Sequence, residues 1–307
     1  MVTATRKQRS AASSASGKTP IVVERKLGKP DTSGRYLYYP GAKETILDVI
    51  LRLVPINAVR LIEPFTGSGA LASGLAFRFK AIEASDLNSE LITAHQKVLG
   101  DTDNFIATLD KYFSDPQSTT KEYYDAVKDK FNASDDENAK TAMLVFMNRK
   151  GFKGLMRRNK SGKFNVPFWE ERADEPLPVT QIREFAERLA GKTRFATQDF
   201  AKALEQAGRH DFCYLDPPYL AEQGKDSTFA EYVGAFTEDD HRRMAALCKA
   251  AAGHGATVVV SNHDSDKVRE IYSSASRFYV LEVPRSMSDA TGKGDSTANE
   301  ILAVWLP

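Results

Sequence analysis

Short apolar runs recur along the chain, and several stop at a charged or glycine-rich turn. Residues 59–62 (Val-Arg-Leu-Ile), 80–85, 193–196, 212–215 (Phe-Cys-Tyr-Leu), 257–260 (Thr-Val-Val-Val), 278–283 and 301–305 have the length and the β-branched or aromatic content of buried strands. Between them the apolar spacing changes to three and four. Ile46, Leu47, Ile50, Leu51 and Leu53 predict a helix. Others are predicted at 71–79, at 182–189, just before residue 212, from the capping run Thr237-Glu238-Asp239-Asp240 to about 252, and at 267–272. Alternation of this kind predicts an α/β fold with a parallel, Rossmann-like sheet. The last two strands follow one another without a helix, so the sheet is expected to end in a reversed, antiparallel hairpin.

The parallel rhythm stops between about residues 101 and 189. Leu109, Tyr112 and Phe113 mark one short helix, 123–131 a second and 139–146 a third, with Asp135-Asp136-Glu137 at its start, where negative charge suits the helix dipole. Residues 148–168 read as a hairpin, because Gly151, Gly154 and the turn Lys160-Ser161-Gly162-Lys163 break any helix. The expected organisation is a core of residues 31–100 and 190–307, and an inserted, mostly helical unit over 101–189 that carries the β-hairpin. Residues 1–30, rich in Ser, Ala, Thr, Lys and Arg with Glu24 the only acidic residue, read as a disordered basic tail. The polar, aperiodic stretch 222–228 reads as a mobile flap, and 286–297 as a Ser, Asp and Gly-rich loop.

Composition narrows the class. With 307 residues and 42% hydrophobic content the chain can bury a large core, and its formal net charge of +1 means that any nucleic-acid signal must be local. Cys213 and Cys248 show no ligand spacing and read as buried free thiols in a reducing cytoplasm, so no metal is expected. No apolar run reaches bilayer length, so no membrane partner is expected either. The oligomeric state is not written in the sequence; a monomer and a weak dimer are both compatible with it.

Local charge does appear in the hairpin. Arg149, Lys150, Lys153, Arg157, Arg158, Lys160 and Lys163 cluster with no acidic residue among them, interleaved with Phe152, Leu155, Met156 and Phe164. Basic groups suit phosphates, apolar tips suit wedges between bases, and Arg or Asn side chains suit base edges. A solvated charged face is the plainer reading; the apolar interleaving favours nucleic acid.

Three turns carry candidate chemistry. Glu63-Pro64-Phe65-Thr66-Gly67-Ser68-Gly69-Ala70 lies between a strand and a helix, and its glycines allow a nucleotide close to the backbone. The next strand ends in Asp86-Leu87-Asn88, about twenty residues on, where such folds keep a carboxylate for a ribose. Leu71 and Ala72 stand where a third glycine would be, which favours a mononucleoside over a dinucleotide cofactor. Tyr39-Pro40-Gly41-Ala42-Lys43 precedes a helix and can bring Lys43 to a negatively charged ligand, or can simply be a capped surface turn. Asp216-Pro217-Pro218-Tyr219 ends the strand 212–215. Two prolines cannot continue a ladder, so the chain leaves the sheet rigidly at the edge where open α/β folds bind ligands. The Asp216 carboxylate and the Pro217 carbonyl can accept the two protons of an exocyclic amine while Tyr219 stacks on the ring. Alone, the motif also fits a strand-ending turn.

Taken in order, these motifs, with Asn148-Arg149-x-Gly-Phe152 running through Asn165-Val166-Pro167-Phe168, resemble the Dam family of DNA adenine-N6 methyltransferases from Tyr36 to Trp305. The resemblance implies a methyl transfer from S-adenosylmethionine, leaving S-adenosylhomocysteine, to a flipped-out adenine in double-stranded DNA, commonly in GATC. It implies cofactor contacts from Tyr39, Lys43, Phe65, Gly67, Gly69, Asp86 and Asp216, with Asp199 or Phe200 near the adenine. It also implies catalysis at Asp216, Pro217, Pro218 and Tyr219. DNA contacts are expected from Arg149, Lys150, Phe152, Lys153, Leu155, Arg157, Arg158, Asn159, Lys163, Asn165 and Pro167. The host implied is a bacterial or phage-infected cell. Departures are Tyr39 for the usual Trp, Ala42 for Gly, and Trp169-Glu170-Glu171 where the family has Gly and a basic residue. Carboxylates there repel phosphate or prefer a cytosine amine, so they bear on the target sequence and not on the reaction. Chemistry at Asp216 alone also suits cytosine N4 or an RNA base. A nicotinamide-dependent oxidoreductase and a binder with a degenerate core are disfavoured by the missing third glycine and the intact Asp-Pro-Pro-Tyr.

Overall fold

A computed structural model of the chain describes residues 34–39, 41, 43–220, 236–284 and 297–307. The tail expected over 1–30, the flap at 222–228, residues 286–296 of the expected loop, Pro40 and Ala42 lie outside the described residues.

Seven strands form one sheet: β1 (Arg60–Glu63), β2 (Ala81–Asp86), β3 (Thr193–Thr197), β4 (Asp211–Leu215), β5 (Thr257–His263), β6 (Arg277–Pro284) and β7 (Thr297–Trp305). Their order is β3-β2-β1-β4-β5-β7-β6. The first five are parallel, and β7 runs antiparallel to both β5 and β6, as the two final strands without a helix predict. Both faces are covered. Phe212 and Tyr214 of β4 join Leu61, Ile82, Val259 and Leu302 on one side, whereas Cys213 and Leu215 join Ile62, Val258, Val260 and Ile301 on the other. Period two thus runs through a wholly apolar strand, and both of its faces are core.

On the second face lie α8 (Phe200–Leu204), α9 (Glu238–Gly253) and α10 (Asp266–Ile271). The first is covered by α1 (Leu47–Leu53), α2 (Ala70–Gly74) and α3 (Ser89–Gly100). The helix expected over 71–79 is broken after Gly74 and continues only as a 3-10 turn, Ala76–Arg78. The α3 helix was not apparent in the apolar spacing; the Asn88 side chain starts it by accepting from the Glu90 and Leu91 amides.

The inserted helices are α4 (Thr102–Phe113), α5 (Lys121–Ala133) and α6 (Glu137–Lys150). The α6 helix packs against α3, α4 and α5 and is buried on every side from Thr141 onward, so it runs beyond the expected 139–146. Its last turn corrects two assignments: Arg149 and Lys150 are interior residues, not part of an exposed hairpin. Arg149 pairs with Glu175, and the Lys150 ammonium donates to the Ala173 carbonyl. The last helix of the expected insert, α7 (Val179–Leu189), packs on α2, α3 and α4.

The hairpin itself forms through two antiparallel bridges, Gly151 with Phe168 and Arg158 with Phe164. Backbone bonds from Phe152 to Pro167 (2.9 Å) and Asn159 to Lys163 (2.9 Å) close it. Asn132 on α5 holds the returning arm through both the amide and the carbonyl of Phe164.

Candidate active site

The carboxyl ends of β1, β2, β4 and β5 meet the turn before α1. Asp216 follows β4 directly. Its Oδ1 accepts from the Ser261 hydroxyl at 2.7 Å, and its Oδ2 lies 3.1 Å from the Lys43 ammonium. Lys43, expected among the cofactor contacts, therefore ends at the carboxylate of the Asp-Pro-Pro-Tyr corner. It also stands 4.9 Å from the Tyr219 ring centre and donates to the Gly41 carbonyl at 2.9 Å. His263 meets the Tyr219 ring edge-on at 4.7 Å. The Tyr219 hydroxyl is buried without a hydrogen-bond partner among the described residues, close to the Glu300 carboxyl of β7, and burial raises both groups above their usual ranges.

Ser261 is the residue that sequence reasoning missed here. The strand expected over 257–260 stops short of it, yet β5 continues through it because β7 supplies the ladder partner Leu302. The Tyr214 hydroxyl donates to it at 3.2 Å, which leaves the serine proton for Asp216. A polar residue ending the strand beside the motif strand was the available signal.

The glycine turn stands alongside. Gly67 and Gly69 have φ of +49° and +72°, and a Cβ on Gly67 would come within 2.9 Å of the Tyr39 ring, so this turn requires glycine. Asp86 accepts from the Gly67 amide at 3.0 Å and from the Asn88 amide at 2.9 Å, and burial lifts its carboxyl above the ordinary range. Between Asp86 and Asp216 lies the buried Glu63. Burial, with both neighbouring carboxylates adding to it, pushes Glu63 well up against the opposing bond from the Thr66 hydroxyl. Phe65 is half-buried and stacks on the interior Phe200, 5.6 Å between ring centres. Asp199 caps α8 and pairs with Arg243 at 3.1 Å. A half-exposed aromatic ring, a carboxylate at the end of β2 and a close-approach turn fit a nucleoside with a short charged chain.

A second missed residue supports that turn. His95 on α3 is fully buried, with Nδ1 2.7 Å from the Tyr36 hydroxyl and Nε2 2.8 Å from the Gly67 carbonyl. Burial lowers it to about 4.

The hairpin joins the same edge. The Asn148 amide accepts from the Tyr38 amide (2.8 Å) and donates to the Tyr38 and Gly154 carbonyls (2.8 and 3.0 Å). Phe152, Asn159, Lys163 and Pro167 are exposed, while Lys153, Leu155, Arg157, Arg158 and Asn165 are half-buried. Arg157 donates to Asn165 at 3.0 Å and Arg158 pairs with Glu90, so neither guanidinium is wholly free for DNA. Glu170 and Glu171 are exposed beyond the returning arm.

Among the described residues no helix is long and apolar enough to cross a membrane. A family profile described as D12 class N6 adenine-specific DNA methyltransferase matches residues 39–287. The chain is 32% identical to a DNA adenine methylase of Vibrio cholerae over 274 residues, covering 89% of this chain and 96% of that one. It is 33% identical to the DNA adenine methylase of Haemophilus influenzae over 280 residues (90% and 96%). To the retron Ec67 DNA adenine methylase of Escherichia coli it is 32% identical over 271 residues (87% and 90%). The solved structure of an O-methyltransferase from Thermotoga maritima aligns loosely, at 12% identity and a TM-score of 0.37, covering 88% of this chain and 68% of that one. The chain belongs to the D12 class of N6 adenine-specific DNA methyltransferases.

Proposed function

We propose that this S-adenosylmethionine-dependent adenine methyltransferase acts on an adenine swung out of duplex DNA, at GATC or a related site, with Asp216 and the Pro217 carbonyl gripping the amine. The observation that carries the reading is the Asp216 carboxylate, fixed by Ser261 and Lys43 at the strand edge beside Asp86 and the glycine turn.

Tyr39, the turn from Phe65 to Gly69 and Asp86 would hold S-adenosylmethionine, with Asp199 near its adenine and Phe200 supporting Phe65 from below. When bound, that cofactor supplies a methyl group made electrophilic by its sulfonium sulfur and leaves as S-adenosylhomocysteine. The N6 lone pair of adenine is delocalised into the ring and is a poor nucleophile. Accepting a hydrogen bond from each amine N–H at Asp216 and the Pro217 carbonyl draws N6 toward tetrahedral geometry and aims its lone pair, and the one proton that N6 sheds on methylation would leave through Asp216. Tyr219 supports the ring, and Lys43 balances the charge of Asp216. Acceleration then comes from positioning and fixed dipoles.

Extracting the base costs a few kcal/mol. The hairpin offsets this through Lys153, Arg157, Arg158 and Lys163 near phosphates or base edges, Asn159, Asn165 and Pro167 beside them, and Phe152 or Leu155 as the wedge. Residues 101–189 form the recognition unit in this reading.

The test is Asp216→Ala with a labelled methyl donor and plasmid DNA. Cofactor and DNA binding stay near wild type and transfer is lost; near-normal turnover refutes the assignment. Mapping the labelled nucleoside and its flanking bases with the wild-type protein identifies both the methylated base and the target sequence.

A further inference from the structure

Two successive peptides of the glycine turn are anchored unequally. The peptide between Thr66 and Gly67 is held on both sides: the Thr66 carbonyl accepts from the Gly69 amide at 2.8 Å, and the Gly67 amide donates to Asp86 at 3.0 Å. The next peptide, between Gly67 and Ser68, has one anchor among the described residues. Its carbonyl lies 2.8 Å from Nε2 of His95, and none of the hydrogen bonds among those residues uses the Ser68 amide. Gly67 sits at φ of +49°, and a glycine passes between positive and negative φ at little cost, so the backbone alone does not keep this peptide plane from turning over.

The partners of the His95 ring fix where its proton lies. A carbonyl oxygen only accepts, so Nε2 carries a proton. The ring is fully buried, with Phe195 and Phe185 lying nearly parallel to it at 4.7 and 5.2 Å between centres. Burial lowers it to about 4, so it is neutral and Nδ1 is bare. Nδ1 then accepts from the Tyr36 hydroxyl at 2.7 Å. Tyr36 is also fully buried and meets the His95 and Phe185 rings edge-on, at 5.7 and 5.0 Å. Donation therefore runs one way, from the tyrosine to the imidazole and from the imidazole to the turn.

A trans peptide points its N–H opposite to its C=O. With the Gly67 carbonyl turned inward to His95, the Ser68 amide is turned away from the interior, beside the residue whose own amide holds Asp86. A backbone N–H without a partner suits an anionic oxygen. The amino-acid end of S-adenosylmethionine is the part of that molecule that carries a carboxylate.

We propose that His95 is a positioning residue for the cofactor: held by Tyr36, it keeps the peptide between Gly67 and Ser68 in one orientation, in which the Ser68 amide receives the carboxylate of S-adenosylmethionine. This rests on the reading of the glycine turn as the cofactor site.

Two ligands separate the ends of the cofactor, because S-adenosylhomocysteine keeps the amino-acid chain and methylthioadenosine lacks it. Glutamine carries an amide donor at about the reach of Nε2, whereas asparagine stops at the level of Nδ1. In calorimetric titrations His95→Asn is expected to bind S-adenosylhomocysteine about five- to tenfold more weakly than wild type and methylthioadenosine within about twofold, while His95→Gln stays within about twofold for both. At saturating S-adenosylmethionine, single-turnover transfer by His95→Asn remains within about twofold of wild type, so the loss falls on KM and not on kcat. Tyr36→Phe, which frees the imidazole to exchange its proton between nitrogens, weakens S-adenosylhomocysteine alone by about threefold and supplies the comparison if the asparagine variant does not fold. Independently of any variant, a long-range proton–nitrogen correlation spectrum of the wild-type protein shows His95 protonated at Nε2 and bare at Nδ1. Equal weakening of both ligands, unchanged S-adenosylhomocysteine binding in His95→Asn, or a proton found on Nδ1 with Nε2 bare overturns the proposal. An Asp86→Ala protein that binds S-adenosylmethionine as tightly as wild type would instead refute the cofactor reading of the turn, and the proposal with it, while the tautomer stands.

Discussion

Removing one oxygen atom, in Ser261→Ala, isolates the orientation of the Asp216 carboxylate from its identity. Ser261 is fully buried and its 2.7 Å bond is one of two contacts that fix the carboxylate, the other being Lys43 at 3.1 Å. A hydrogen bond to an ionised group is worth about 1.5–3 kcal/mol net. If all of it serves to hold Asp216 in its productive rotamer, its loss lowers kcat by about ten- to a hundredfold. Stability falls as well, because the Tyr214 hydroxyl, now without its acceptor, is a buried unpaired donor at a cost of about 1–3 kcal/mol. The two effects separate in a double variant. Adding Tyr214→Phe removes the orphaned hydroxyl and restores much of the melting temperature, yet leaves kcat low because Asp216 still lacks its donor. Single-turnover transfer from a labelled donor, isothermal titration with S-adenosylmethionine and a melting curve measure all three quantities. A Ser261→Ala protein with kcat within about twofold of wild type and an unchanged melting temperature would show that this serine does not orient the carboxylate.

Two further outcomes follow from the buried groups. His95 and His241 are both lowered from 6.5 to about 4, so between those values the unfolded chain binds protons that the native chain refuses. Their share of the stability is fully present above the unfolded value and is lost as pH falls from about 6.5 toward 4, while the raised Glu63, Asp86 and Glu300 carboxyls act in the opposite direction; between pH 7 and 4 the melting temperature of His95→Gln should therefore lose less on acidification than that of wild type. Glu175 is the partner of the interior Arg149 guanidinium and also accepts from the Tyr38 hydroxyl at 2.8 Å. Glu175→Ala leaves that cation buried and unpaired, and is expected to cost about 3–5 kcal/mol in denaturant unfolding, whereas an Arg149 that served as an exposed phosphate contact would lose almost nothing.

Strand positions were legible because apolar runs bounded by polar turns have few other uses, and the missing helix before the last strand announced the reversed hairpin. The corner at Asp216 was legible for a related reason: two prolines constrain the backbone whatever surrounds them. Polar residues inside buried elements were not. Ser261 and Asn262 fall beyond the apolar run 257–260 although β7 carries the ladder past them. Arg149 and Lys150 extend a run of charge that continues into the hairpin, and only tertiary partners at Glu175 and Ala173 take them inside. His95 and His241 carry no local signature at all, since the tyrosines that meet them lie 59 and 31 positions away.

Hairpin and strand edge are tied together by Asn148, whose single amide side chain spans the Tyr38 backbone and the root of the hairpin. Gly154 makes that contact possible. At φ of +65° and with an added Cβ only 2.3 Å from the Tyr38 Cβ, no other residue lets the hairpin approach this closely. Tyr38 leads at once into the turn that ends at Lys43, and Lys43 holds Oδ2 of Asp216. An amine held at Asp216 would share that carboxylate with Lys43, because its two oxygens offer about four acceptor sites and the ammonium and the Ser261 hydroxyl each take one.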